Sequence, residues 1–325
     1  MKLSGLIHVR RGVMAAALLA ATCLTIPGVS LAAAADDPVM IAFTPTAAAG
    51  GIFNAQAEGF FNEHGLKHTE LLSQANAVGV VAAVQSGSAQ IGSVAAGVFF
   101  GAIENGLDYV AVGCQSLFGP GTDVLAVIAR NGVTIKTAKD FEGKRVAVPG
   151  LDGGHHIMFM EWLKANGADA NKVTFLEVNH PQQADVLRGR SVDAVVTAEP
   201  NIVRITQAGL GTVVSRLNDT KRNLPDAFFI ATRPWANAHP DDVIAFQQGL
   251  KDGVAYADTN PDKTDDNMAH FLKQDPAVVR QAGRQHFCDA DLAKHVGELN
   301  AAMLELGLAT TPIDADHVVW NRPKS

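Results

Sequence analysis

The sequence predicts an α/β protein of two lobes, each a mainly parallel sheet flanked by helices, joined as a hinged clamshell. Three observations predict it. Short apolar runs alternate with helical patterns from Val39 to Val196, the rhythm of strand–helix–strand units. The runs are apolar at successive positions, as strands buried on both faces require. The remaining chain is nearly all helical after one more apolar run, at 227–232, and a chain of 325 residues suffices for two cores.

The leading segment is set aside before the fold is argued. Lys2, Arg10 and Arg11 precede an apolar stretch from Val13 to about Val29, and small residues close it at Ser30–Ala35. This is the pattern of a secretory signal peptide over 1–35, cleaved near Ala34-Ala35. An uncleaved anchor would need a longer apolar span. Removing the segment takes the net charge from −7 to −10, because it carries three basic residues and no acidic one. An acidic chain without a basic run excludes nucleic acid as a partner, since phosphate neutralisation needs clustered Lys and Arg. Three cysteines with no C-x-x-C pair supply neither a disulfide framework nor a zinc site. An exported chain would permit Cys114 and Cys288 to form a disulfide, but scattered cysteines are more often small buried hydrophobes, and the unpaired reading is favoured.

The elements follow in order. Val39–Phe43 is a strand. Gly51–His64 is a helix stopped by Gly65, with Phe60 and Phe61 near its end packing on the sheet. Leu66–Leu72 is a strand, Ala77–Ser86 a helix stopped at Gly87, Ile91–Val94 a strand and Gly97–Glu104 a helix. Tyr109–Val112 and Val124–Ala129 are strands. Arg145–Pro149 is the next strand, followed by a helix from His155 to Asn166. Val173–Val178, Pro181–Arg188 and Ala194–Val196 continue the alternation. Helices then cover 240–259, 265–274, 276–287 and 289–306. The simplest packing sends the chain back through the 227–232 strand, so 36–126 with 228–325 form lobe I and 127–227 form lobe II.

Several segments carry a family resemblance. Ala55-Gln-Ala-Glu-Gly-Phe-Phe-Asn-Glu-His-Gly-Leu66 resembles the first helix of substrate-binding proteins of ABC importers, of the nitrate, sulfonate and taurine type, a group that also contains binders of thiamine-precursor pyrimidines. Val84–Gly92, Thr137–Val148, Leu187–Ala194 and Glu199-Pro200 resemble later parts of that pattern in the right order, with Gln90 where Asp is commoner. The resemblance implies the two-lobe periplasmic-binding-protein fold, type II-like. It implies a monomeric extracytoplasmic protein, located in the periplasm, that delivers a small organic ligand, anionic or heteroaromatic, to an ABC permease. It leaves open a sensing role beside a membrane receptor. Independently of it, Gly59, Gly65, Gly143 and Asp193 read as turn positions serving the backbone.

The ligand site is expected beyond the carboxyl ends of the parallel strands. Four loops lie there. The first offers Thr44 and Thr46; the second Ser73, Gln74 and Asn76; the third Ser93 and Ala95; the fourth Gly153, Gly154 and His155. Each leads into a helix whose free N–H groups and positive dipole end attract acceptors, although ordinary helix capping explains Thr44, Thr46 and Ser73 as well. Gly154 permits close backbone approach. The resemblance places Glu199 at the cleft, gripping either the ligand or the hinge. No Arg or Lys occurs in the four loops, which favours an organic ligand over nitrate. His155 and His156 lack the further ligands a metal needs, so no metal and no cofactor is expected. Neither G-x-S-x-G nor G-x-G-x-x-G occurs, and the cysteine-rich motif of the related cytosolic pyrimidine-synthesising enzymes is missing. The reading is therefore a binding protein and not an enzyme.

Overall fold

A computed structural model of the chain describes residues 37–220, 222–282, 285–288 and 291–323. The expected signal peptide lies outside these residues. The strands are β1 Val39–Phe43, β2 Thr69–Ser73, β3 Ile91–Ala95, β4 Tyr109–Phe118, β5 Leu125–Arg130, β6 Arg145–Val148, β7 Thr174–Glu177, β8 Ala194–Ala198, β9 Gly211–Ser215, β10 Leu224–Thr232 and β11 His286–Phe287. The helices are α1 Gly50–Ala57, α2 Phe60–Glu63, α3 Ala77–Ser86, α4 Ala96–Glu104, α5 Gly154–Ala165, α6 His180–Arg188, α7 Asn201–Gln207, α8 Arg233–Ala238, α9 Pro240–Thr259, α10 Pro261–Leu272, α11 Pro276–Val279, α12 Leu292–Glu305 and α13 Ala315–Val318.

Two sheets result. The first runs β11-β4-β10-β3-β1-β2 and the second β7-β6-β8-β5-β9. Both are mixed. β1 pairs parallel with β2 and β3, and β6 with β7 and β8, as the alternating pattern requires. β10 runs antiparallel to β3 and β4, and β5 antiparallel to β8 and β9. The antiparallel pairs involve the strands that flank the crossings. The chain passes from the first sheet to the second after Phe118 and returns after Ser215. A strand entering directly from the other sheet has no crossover helix to reverse its direction.

Local chemistry explains most element limits. Asn76 caps α3 by accepting the Gly79 N–H at 3.0 Å, and Gly87, at φ +77°, ends it in the left-handed region that glycine tolerates. The single helix expected over 51–64 is two, because Gly59 turns left-handed at φ +83°. Phe60 and Phe61 join the core cluster that holds Ile41, Val110 and Phe229 of the sheet, with α9 packed over them. The buried Phe61 ring stacks on Phe246 of α9 at 5.7 Å, and Phe60 meets the edge of Tyr256 on the same helix. Gly249 and Gly253 let α9 approach so closely that a Cβ on either would strike Phe61 or the α1 backbone. Burying a ring of this size contributes roughly 2–3 kcal/mol. Buried Asn54 is satisfied there, donating to the Gly253 carbonyl at 3.1 Å and to Thr264 Oγ1 at 3.0 Å. Asp193 serves the backbone as expected, accepting the Arg145 N–H at 2.9 Å.

The C-terminal part departs further from expectation. The helix expected over 276–287 stops at Val279, and His286 and Phe287 instead pair with Leu117 and Ser116 of β4. That pairing brings Cys288 beside Cys114, and the two form a disulfide with a Cα–Cα distance of 5.6 Å. The expectation of two unpaired cysteines is thereby corrected: the register of β11 on β4 decides the pairing. Among the described residues, no helix is long and apolar enough to cross a membrane.

Candidate functional site

A cavity of about 300 Å³ opens where the two sheets face each other. Its walls are strand ends and helix starts. Thr44 and Thr46 line it after β1, and Asn76, the cap of α3, lines it after β2. Ser93 and Ala95 line it from β3, and Gly153, Gly154 and His155 from the start of α5. Glu199 lines it after β8. Ser73 and Gln74 lie off the wall: Ser73 is exposed, and Gln74 donates its backbone N–H to the Phe43 carbonyl at 2.8 Å.

Ala95, Gly153, Asn179 and Pro200 are the cap residues of α4, α5, α6 and α7, and none of the four makes a side-chain cap. All four line the cavity with Asn76. The first amides of α4 and α5 are thus left for another acceptor, whereas in α7 the Val203 N–H is taken by Glu199. The dipole ends of these helices converge on one space, which favours negative or acceptor groups there.

Two glycines hold the walls together. A Cβ on Gly97, in the first turn of α4, would overlap the carbonyl of Asp152. A Cβ on Gly154 would lie 2.8 Å from the Asp226 Cα and 3.1 Å from its carbonyl oxygen. Gly154 therefore serves packing on β10 as well as open space for a ligand. Gly154→Ala is expected to cost about 1–3 kcal/mol through overpacking. Gly153→Ala, whose Cβ would meet the Gly150 oxygen at 3.3 Å, should cost less. Equal melting temperatures for the two variants would show that the α5–β10 contact can give way.

The residues that sequence reasoning missed sit at two bulges and one helix start. Pro225 faces Leu117 and Ala227 faces Ser116, so Asp226 stands outside the β10–β4 ladder. Phe228 faces Cys114, so Gln115 stands outside it on the other strand. Bulges re-aim side chains in this way, and both residues line the cavity. The buried Ser93 hydroxyl donates to Gln115 Oε1. His155 Nδ1 lies 3.4 Å from Asp226 Oδ1, and its ring meets Phe118 and His180 edge-on at 5.0 and 5.1 Å. His180, the first residue of α6, has its pKa pushed down to about 3, first by burial and then by neighbouring His155. It is neutral at physiological pH. The helix expected to begin at Pro181 begins one residue earlier, and that residue is the cavity histidine. Arg204 of α7, outside the four loops, adds an exposed guanidinium that donates to Asn201 Oδ1 at 3.3 Å.

Glu199, on the cavity lining, already has partners within the chain. Its buried carboxylate accepts from Arg216 Nη1 at 2.9 Å and from the Val203 N–H at 3.2 Å. The same Arg216 nitrogen donates to the Asp123 carbonyl at 2.6 Å. Arg216 and Asp123 lie on the two segments that cross between the sheets, so Glu199 ties both crossings to the end of β8. Burial raises the Glu199 pKa, while the Arg216 and Val203 hydrogen bonds oppose the rise.

Comparison with known proteins agrees with this architecture. The alkanesulfonate-binding protein SsuA from Xanthomonas axonopodis pv. citri, bound to MOPS, superposes with a TM-score of 0.68 at 16% identity, covering 87% of this chain and 97% of that one. The periplasmic nitrate-binding protein NrtA from Synechocystis gives 0.69 at 13% identity, over 85% of this chain and 83% of that one. At such identities the likeness establishes the fold. A curated relative, the bicarbonate transport ATP-binding protein CmpC of Synechocystis, is 24% identical over 237 residues, 68% of this chain. The chain spans only 35% of the length of that relative. Residues 47–264, well over half of the chain, match the family described as NMT1/THI5 like, and the chain belongs to that family.

Proposed function

We propose that the chain is an extracytoplasmic solute-binding protein. It captures a small organic ligand in the cavity between its sheets and delivers it to the permease of an ABC importer. The observation that carries this reading is the convergence of helix starts from both sheets on one cavity of about 300 Å³. Such a site holds a small molecule by fixed backbone donors. Two bodies close on the ligand about the Glu199–Arg216 tie, the first carrying β1–β4, β10 and β11 and the second β5–β9; the limits expected at 126/127 and 227/228 would cut β5 and β10, so they move to the crossings after Phe118 and Ser215. The names of relatives that bind alkanesulfonate or nitrate, or serve bicarbonate transport, support a role in uptake.

The test is native mass spectrometry of the chain purified without denaturation, followed by small-angle scattering before and after the bound solute is removed. A one-to-one carried solute and a larger radius of gyration on its removal are expected. A chain that carries no solute, and whose radius never changes, would sink the reading.

A further inference from the structure

We propose that Asp226 makes the cavity select a ligand that donates hydrogen bonds from nitrogen, as an amide, amidinium or ammonium group does, and reject simple oxyanions. The proposal rests on the solute-binding reading and sets its ligand class. Asp226 is 8% exposed, at a bulge that turns it out of the ladder and onto the cavity wall. Among the described residues, neither of its carboxylate oxygens accepts a hydrogen bond. Among the described residues its charge partner is His155, whose Nδ1 at 3.4 Å is beyond good hydrogen-bond length. A buried carboxylate without donors is costly, and a ligand N–H would relieve that cost.

The surroundings point the same way. Glu177 puts a second carboxylate on the wall, exposed and accepting the Leu151 N–H at 3.3 Å. The Glu199 charge is taken up by Arg216, and the basic side chain on the wall, Arg204, is exposed. An oxyanion placed against Asp226 would meet a like charge with little water to screen it. Gln115, bulged on the neighbouring strand, keeps an amide nitrogen free of hydrogen bonds among the described residues, a donor for an acceptor atom on the same ligand. The helix starts serve the ligand's remaining acceptors. The ligand thus presents nitrogen donors on one side and acceptors on the other.

The test uses compounds matched in shape: benzamidinium and nicotinamide against benzoate and benzenesulfonate, with nitrate as a small oxyanion. Each is titrated into wild type and Asp226→Asn by calorimetry, with melting temperature as the second readout. The nitrogen donors are expected to bind wild type at least about tenfold more tightly than the oxyanions, and Asp226→Asn to erase that preference. Oxyanions binding wild type as well as the donors do, or a preference that survives Asp226→Asn, would overturn the proposal. If no compound binds but the purified chain carries a solute, the chemistry of that solute decides: a nitrogen donor supports the proposal and a plain oxyanion overturns it. A chain that binds no compound and carries no solute defeats the solute-binding reading itself.

Discussion

Replacing Cys114 and Cys288 by alanine is expected to lower the free energy of unfolding by about 2–5 kcal/mol. The disulfide joins positions 174 apart in the chain, and closing a loop of that length removes roughly 5 kcal/mol of denatured-state entropy in the chain-entropy account. A second contribution is local. β11 is only two residues long, and its Phe287 ring lies against Gly50 and Gly51, the glycines that open α1. Releasing β11 loosens the support under the Thr44–Thr46 wall. Denaturant unfolding of wild type and the double variant checks this, with a reduced wild-type sample in dithiothreitol alongside. Both cysteines are buried, so reduction should be slow unless the chain opens. Coincident unfolding curves for the two proteins would show that the bond constrains nothing.

Arg216→Met carries the second large effect. The Glu199 side chain is 1% exposed, and Arg216 is its compensating charge. Removing one partner of a buried pair leaves an unpaired charge and costs about 3–5 kcal/mol; Arg216 is itself 36% exposed, which places the expected loss near the lower figure. The pH dependence has a definite sign. Burial already raises the Glu199 pKa, so the folded state takes up a proton more readily than the unfolded chain. Its ionised form is the costly one, and acidification relieves it. The loss caused by Arg216→Met should therefore be largest near neutrality and shrink as pH falls toward the carboxylate range. Adding Glu199→Gln to Arg216→Met should recover much of the stability. A loss that is the same at pH 7.5 and pH 5 would mean that Arg216 acts through packing and not through charge.

What the sequence displays and what it hides divide along physical lines. β1, α3 and α9 were readable residue for residue, because their signals are local: an apolar run, an Asn cap with a left-handed glycine, a proline at the first helical turn. The rule that ligands sit beyond strand ends led to Thr44, Thr46, Asn76, Ala95 and the Gly153–His155 turn, which line one cavity. Asp226 and Gln115 escaped because a bulge is a property of two strands far apart in sequence, and neither strand shows it alone. The cysteine pairing escaped for the same reason. His180 was within reach: the segment after β7 is another strand end followed by a helix, and Asn179 stands at its cap. β9 was missed as a short Gly-Thr-Val-Val-Ser edge strand with few apolar residues.

The position of β10 bears on the order in which the molecule can be completed as it is synthesised. The second sheet draws all its strands from 125–215, one uninterrupted stretch of chain. The first sheet has β10 between β3 and β4, although residues 224–232 come after the whole of the second sheet. Until that strand emerges, β3 and β4 have no common neighbour, and the hydrogen-bonding edges that will pair with it stand open. The later-encoded strand is thus the keystone of the earlier-encoded sheet. A chain truncated before 224 would contain a finished second sheet and a first sheet split in two, so the first core closes last although its opening strands are made first.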